Sequence, residues 1–298
     1  MAGHNRGGDP LAALKGIIGG CIVPHPPLLI PDIGGRDLGK VKSTSKSMEI
    51  LGEKIGALNP EVLVMISPHT PMYRDAFTVK TVPAMQGSFA AFGCPQVRIA
   101  KKNDLELVEG LLEAARNEGF PLEGAGNVSS RWNLPGEELD HGLLVPLYFL
   151  DKYLETPFIS LSISGLSYRH HFELGRIVAK TCTNIGRRAI FVASGDLSHR
   201  LIKGAPAGYD PRGREFDQRI VEIASSGDFD SLYSLDESLV EAAGECGLRS
   251  IHTMWGALKN GALNSSVLSY EGPFGVGYLV SWQLKEAPGG YNAREKQS

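Results

Sequence analysis

Residues 61–67 read Glu-Val-Leu-Val-Met-Ile-Ser, an almost unbroken apolar run closed by Pro68. Its shortness, its β-branched content and the proline that ends it favour a strand over a helix. A strand without alternation is buried on both faces. A sheet covered on both sides needs helices above and below it, so this one segment points to a layered α/β fold. Similar short apolar runs occur at Gly16–Val23, Phe158–Ser162 and residues 189–193. The stretches between them carry helical periodicity. Residues 37–58 place Val41, Met48, Leu51 and Ile55 on one stripe, and residues 104–117 do the same with Leu105, Val108, Leu111 and Leu112. Residues 142–153, 172–183 and 215–224 and two segments flanking Gly244 read as further helices. Residues 76–81 alternate and read as an outer strand, and residues 267–270 and 277–283 close the chain as strands. The expectation is a single α/β domain over residues 16–284. It has a mixed, mostly parallel central sheet flanked by helices, with the active site at the carboxyl ends of the strands. Residues 1–15 and 285–298 read as flexible tails.

Composition narrows the function classes. With 42% hydrophobic and 21% charged residues in 298, the chain has ordinary globular usage. A net charge of -3 gives no broad basic surface for nucleic acid or anionic membrane. Cys21, Cys94, Cys182 and Cys246 form no CxxC pair, which suits a reducing compartment. The longest uncharged apolar run, residues 16–31, holds four prolines and is too short to span a bilayer. The N-terminus lacks the layout of a signal peptide. A cytoplasmic protein without nucleic-acid or membrane partners is expected.

Three of the eight histidines share one structural position. His25 follows the strand ending at Val23, His69 the strand ending at Ser67, and His199 the strand ending at residue 193. If those strands are parallel, all three lie on one rim. Pro24 and Pro26 bracket His25, and Pro68 and Pro71 bracket His69, as rigid positioning of ligands or acid/base groups requires. His141, in Asp140-His141-Gly142, starts a helix; Asp140 reads as its N-cap, and His141 reads either as an ordinary helix-start residue or as a polar group projecting into the pocket. Glu245 and Cys246 sit between Gly244 and Gly247, in a break between two helices. For Glu245 a helix cap and a pocket carboxylate are both open. His170, His171 and His252 read as capping, surface or packing residues, and His4 lies in the tail.

Two imidazoles and a carboxylate can hold one face of a divalent metal and leave positions open, which suits non-haem Fe(II) oxygen chemistry or a Zn hydrolase. His25, His69 and Glu245 supply such a set, with His199 as a free imidazole to move protons. Compact motifs are missing: there is no HExxH and no GxSxG. The glycine run at residues 34–41 matches a phosphate loop up to Lys40 but ends in Val41, without the Mg²⁺-binding hydroxyl.

Val-Pro-His-Pro-Pro at residues 23–27, Ser-Pro-His at 67–69, Asp-His-Gly at 140–142, Ser-Gly-Asp-Leu-Ser-His at 194–199 and Gly-Glu-Cys-Gly at 244–247 occur in a familiar order. The chain resembles the class III extradiol ring-cleavage dioxygenases of the LigB type over residues 16–284. That superfamily also contains the Memo-like and AmmeMemoRadiSam system proteins. The resemblance implies Fe(II) held by His25, His69 and Glu245, with Zn, Mn or Cu as other metals. It implies His199 as acid/base and His141 as a residue touching substrate or O₂. A catechol-type aromatic diol and O₂ would be the substrates, and a homodimer or a partner subunit the assembly. Memo-like members carry Cys-Gly near the third ligand, so Cys246 is its rival; a carboxylate suits Fe(II), and a thiolate suits Zn or Cu(I). The alternatives to ring cleavage are a Memo-like metal-binding or peptide-binding protein and a Zn-dependent hydrolase on the same rim.

Overall fold

The computed structural model describes residues 15–126 and 137–285. Of the tails expected at residues 1–15 and 285–298, all but Lys15 and Lys285 lie outside the described residues, as does Trp132; Lys285 is the last residue of the final strand. In chain order the elements are β1 (Gly16–Val23), α1 (Pro31–Gly34), α2 (Lys42–Leu58), β2 (Val62–Ser67), β3 (Phe77–Lys80), β4 (Ala84–Phe89), β5 (Cys94–Lys102), α3 (Leu105–Asn117), β6 (Leu122–Ala125), α4 (His141–Leu150), β7 (Phe158–Ser162), α5 (Tyr168–Ile185), β8 (Arg188–Ser194), α6 (Arg212–Ser226), α7 (Glu237–Ala243), α8 (Leu248–Leu258), β9 (Leu263–Glu271) and β10 (Tyr278–Lys285).

Eight strands form one sheet in the order β6-β3-β7-β2-β8-β1-β10-β9. Its centre, β7-β2-β8-β1, is parallel. β10 and β9 add antiparallel strands on one side; β3 is antiparallel to β7 but parallel to β6 on the other. The apolar run in β2 is explained by two cores. Val62, Val64 and Ile66 face the core built with α3, α5, α6 and α8. Leu63 and Met65 face the core built with α2 and α4. The period of two sends alternate side chains to opposite faces, so no position in β2 meets water.

The structure departs from two sequence expectations and adds an element that had none. Residues 76–81 form no outer strand, because β6, a four-residue strand with little apolar signal, pairs beyond β3. The α-helix expected from residue 37 starts at Lys42, after a 3₁₀ stretch at Gly35–Val41, where glycines weaken helical propensity. β4 and β5 form a separate antiparallel hairpin in a stretch where the sequence pattern assigns no element. It is tied to the approach to α4 by Gln86 N–H donating to Glu137 O at 2.7 Å and Leu139 N–H donating to Gln86 O at 2.9 Å.

His171 and His252 both belong to the interior. His171 is fully buried, with Nδ1 2.9 Å from Ser167 O and Nε2 accepting from Ser164 N–H, a neutral imidazole whose burial lowers its pKa to about 4. His252 is 1% exposed and stacks on Tyr168 at 4.6 Å, and neither ring nitrogen has a hydrogen-bond partner. Burial, with His171 and Arg249 nearby, lowers its pKa from 6.5 to about 3. The unfolded chain therefore takes up a proton at this residue as pH falls below 6.5, while the folded chain does not. Stability is lost in that direction. His252→Phe keeps the stacked ring and removes the titration. Its stability gain in urea unfolding is expected to be about 2 kcal/mol larger at pH 5 than at pH 8. Equal gains at the two pH values would show that His252 titrates alike in the folded and unfolded chain.

Candidate metal centre

Parallel strands that end together bring their following loops together. β1, β2 and β8 run in register, with Val23 beside Ser194 and Ile66 beside Ala193. His25, His69 and His199 follow these three strand ends, and α4 brings in His141 from the side. The helix break before α8 enters the same place by a close backbone approach. A side chain on Gly195 would put its Cβ 2.2 Å from Gly247 Cα, so the two loops touch only because residue 195 is glycine.

His25 Nε2 and His69 Nε2 lie 3.1 Å apart, and Cys246 Sγ is 3.8 Å from His25 Nε2. The three ligand atoms all fall within 4.8 Å of one another. Two nitrogens at the usual zinc or iron bond length of ~2.1 Å in a tetrahedral or octahedral shell are about 3 Å apart, so these residues fit a divalent transition metal. The groups that hold these donors fit as well. Ser194 Oγ donates to Gly142 O at 2.5 Å, which leaves it to accept from His25 Nδ1–H at 2.9 Å. That bond fixes the tautomer and turns the Nε2 lone pair toward the donor cluster. Burial, with His69 and His141 close by, holds the His25 pKa well below its usual value, so the ring is a neutral ligand. Cys246 Sγ accepts from Asp196 N–H at 3.3 Å. Burial and the Asp196 carboxylate push the thiol up, and a bound cation reverses that preference.

Glu245 is placed elsewhere. Its Oε2 accepts from Leu248 N–H at 2.6 Å, in the first turn of α8. The carboxylate thus caps a helix whose free N–H groups and dipole attract it, and it is outside the cluster formed by His25, His69 and Cys246. Burial raises its pKa to about 7. Of the two rivals read from the sequence for the third donor, the structure brings Cys246 to the histidines.

Asp140 stands at the N-cap position of α4 without capping it. Its carboxylate accepts from Ser67 Oγ at 2.6 Å and from Thr70 Oγ1 at 2.7 Å, and Ser67 Oγ accepts from His69 N–H at 3.1 Å. Asp140 therefore clamps both sides of the His69 loop. Gly142 makes room for this: a Cβ there would lie 2.3 Å from Ser67 Oγ. We expect Asp140→Ala to weaken metal binding about tenfold, the lower end of what losing a supporting group costs. Anaerobic titration with a chelator competitor reads this, and unchanged affinity would mean the His69 loop is held by packing alone.

His141 packs on His69 with ring centroids 3.9 Å apart, and burial and His69 lower its pKa to about 4. His199 Nε2 is 3.9 Å from Cys246 Sγ, and its backbone N–H is anchored on Ala243 O at 3.1 Å. All the site histidines read from the sequence are therefore gathered on one rim. Ser194 and Asp196, quoted as motif members, had no sequence signal for their supporting roles.

Four parallel strands, helices on both faces and a histidine-rich donor cluster at the strand carboxyl ends define an α/β protein with a candidate metal centre. The family described as the catalytic LigB subunit of aromatic ring-opening dioxygenase matches residues 19–281, and the chain belongs to it. It is 35% identical over 261 residues to Protein CA_C1420 of Clostridium acetobutylicum, covering 87% of this chain but 56% of that longer protein. It is 24% identical over 298 residues to a 2-aminophenol 1,6-dioxygenase beta subunit of Pseudomonas sp, covering 91% and 95% of the two chains. The fold is shared with the crystal structure of Escherichia coli K12 protein JW3007, at a TM-score of 0.57 and 18% identity over 90% of this chain and 99% of that one. Among the described residues no helix is long and apolar enough to cross a membrane.

Proposed function

We propose that this chain is a ring-opening dioxygenase of the extradiol type that holds Fe(II) through His25, His69 and Cys246 and acts on a catechol-type diol with O₂. The observation that carries the reading is the donor cluster itself: two imidazoles and a thiol within 4.8 Å, on the rim where α/β sheets bind ligands. Bound Fe(II) supplies the redox chemistry between O₂ and an aromatic diol that no side chain can supply. The protein's own residues do the rest. Ser194 and Asp140 fix the two imidazoles. His199 sits beside the cluster to take a phenolic proton and return it later. His141, neutral near pH 7, offers a hydrogen bond to a bound oxygen without adding charge. The substrate, the Fe(II) and a cytoplasmic setting belong to this proposal, as do a second copy or a partner subunit.

A second reading is favoured by Cys246. A thiolate prefers Zn or Cu(I), and a Memo-like metal-binding protein without ring cleavage would use the same three donors. The test is metal content after anaerobic purification, followed by O₂ uptake with a panel of catechols and aminophenols. Stoichiometric Fe(II), O₂ uptake and a coloured ring-opened product support the dioxygenase. Tightly held Zn or Cu with no uptake under any metal supports the second reading.

A further inference from the structure

We propose that Phe92, at the tip of the β4–β5 hairpin, forms the aromatic wall of the substrate site and selects planar aromatic ligands for the metal centre. This rests on the ring-cleavage reading above. The hairpin is no part of the main sheet, yet its tip reaches the metal rim: the Phe92 ring meets His141 edge-to-face at 5.5 Å. His141 in turn packs on the ligand His69, so Phe92 is one ring removed from the metal donors. The tip is built to hold that ring outward. Phe89 is fully buried and anchors the turn, with its ring 6.3 Å from that of Phe92. The intervening Ala90–Phe92 turn closes at Gly93, whose φ of 79° a side chain would resist. Phe92 nevertheless remains 39% exposed. Met72, in the loop that follows His69, is also exposed. The exposed Phe92 ring, in contact with His141, offers a flat apolar face to a ligand held at the polar cluster. A flat diol chelated by the metal presents such a face. The backbone bonds from Gln86 to Glu137 and Leu139 tie the hairpin to the start of α4, so wall and His141 keep one spacing.

Binding to the Zn(II)-loaded protein tests this without turnover. The probes are 4-nitrocatechol, whose absorbance reports chelation, and acetohydroxamate, a chelator without a ring. In Phe92→Ala, 4-nitrocatechol is expected to bind about tenfold more weakly, the loss of one aromatic pair. Acetohydroxamate affinity is expected to stay as in the wild type, and Phe92→Tyr to restore nitrocatechol binding. Unchanged 4-nitrocatechol affinity in Phe92→Ala overturns the proposal. So does a parallel loss of both probes, which would make Phe92 a prop for the hairpin. A wild-type protein that holds Zn(II) but binds neither probe defeats the ring-cleavage reading as well, which separates the two failures.

Discussion

Cys246→Ala is expected to lower metal affinity more than about 100-fold, beyond the ten- to hundredfold effect of losing a supporting group, whereas Glu245→Gln stays within a few-fold of the wild type. The two residues are neighbours, and chemistry alone favours the carboxylate for Fe(II). Geometry reverses the preference. Cys246 Sγ stands 3.8 Å from His25 Nε2, while Glu245 is bound to Leu248 N–H. The glutamine variant keeps an oxygen for that N–H and so preserves the cap. Glu245→Ala would lose the cap and about 1 kcal/mol of stability without changing metal affinity. Anaerobic titration against a chromophoric chelator separates the outcomes. Full affinity in Cys246→Ala would exclude the thiol as a ligand.

The second large effect concerns His199. His199→Gln is expected to reduce the ring-opening rate by about 10² to 10⁴, the usual worth of a positioned acid/base, while metal content stays near stoichiometric. Its Nε2 lies 3.9 Å from Cys246 Sγ, close enough to reach a group bound at the cluster. The same distance would also serve a fourth ligand, so the variant's metal content decides between the roles. Loss of metal together with activity would make His199 a ligand. Retained metal with an unchanged rate would remove it from the chemistry.

The fold was legible where burial is two-sided. β1, β2 and β7 have no charged residue and no polar one larger than serine, and a proline or small residue marks where each ends. β4 and β5 escaped because only a few of their residues are buried, and because Gly87, Gly93 and Pro95 interrupt any alternation. That gap hid Phe92. The histidines were legible because strand ends in a parallel sheet converge, a rule of topology that holds without knowing any contact. The inward turn of Cys246 was not. At the bend from Gly244 to Gly247, two adjacent side chains diverge, and which one turns inward depends on the helix that follows. The free N–H groups at the start of α8 claim Glu245, a signal present in its position just before an amphipathic helix. Asp140 was read correctly as sitting at a helix start. Its partners, Ser67 and Thr70, are some seventy residues away, and no local pattern points to them.

The central claim is that His25, His69 and Cys246 hold one metal ion. It is tested most directly by loading the protein with Co(II) and recording its electronic spectrum. The account predicts one equivalent bound with a thiolate-to-cobalt charge-transfer band in the near ultraviolet, absent in Cys246→Ser and unchanged in Glu245→Gln. A bound Co(II) without that band, or a spectrum altered by Glu245→Gln and indifferent to Cys246→Ser, would contradict it.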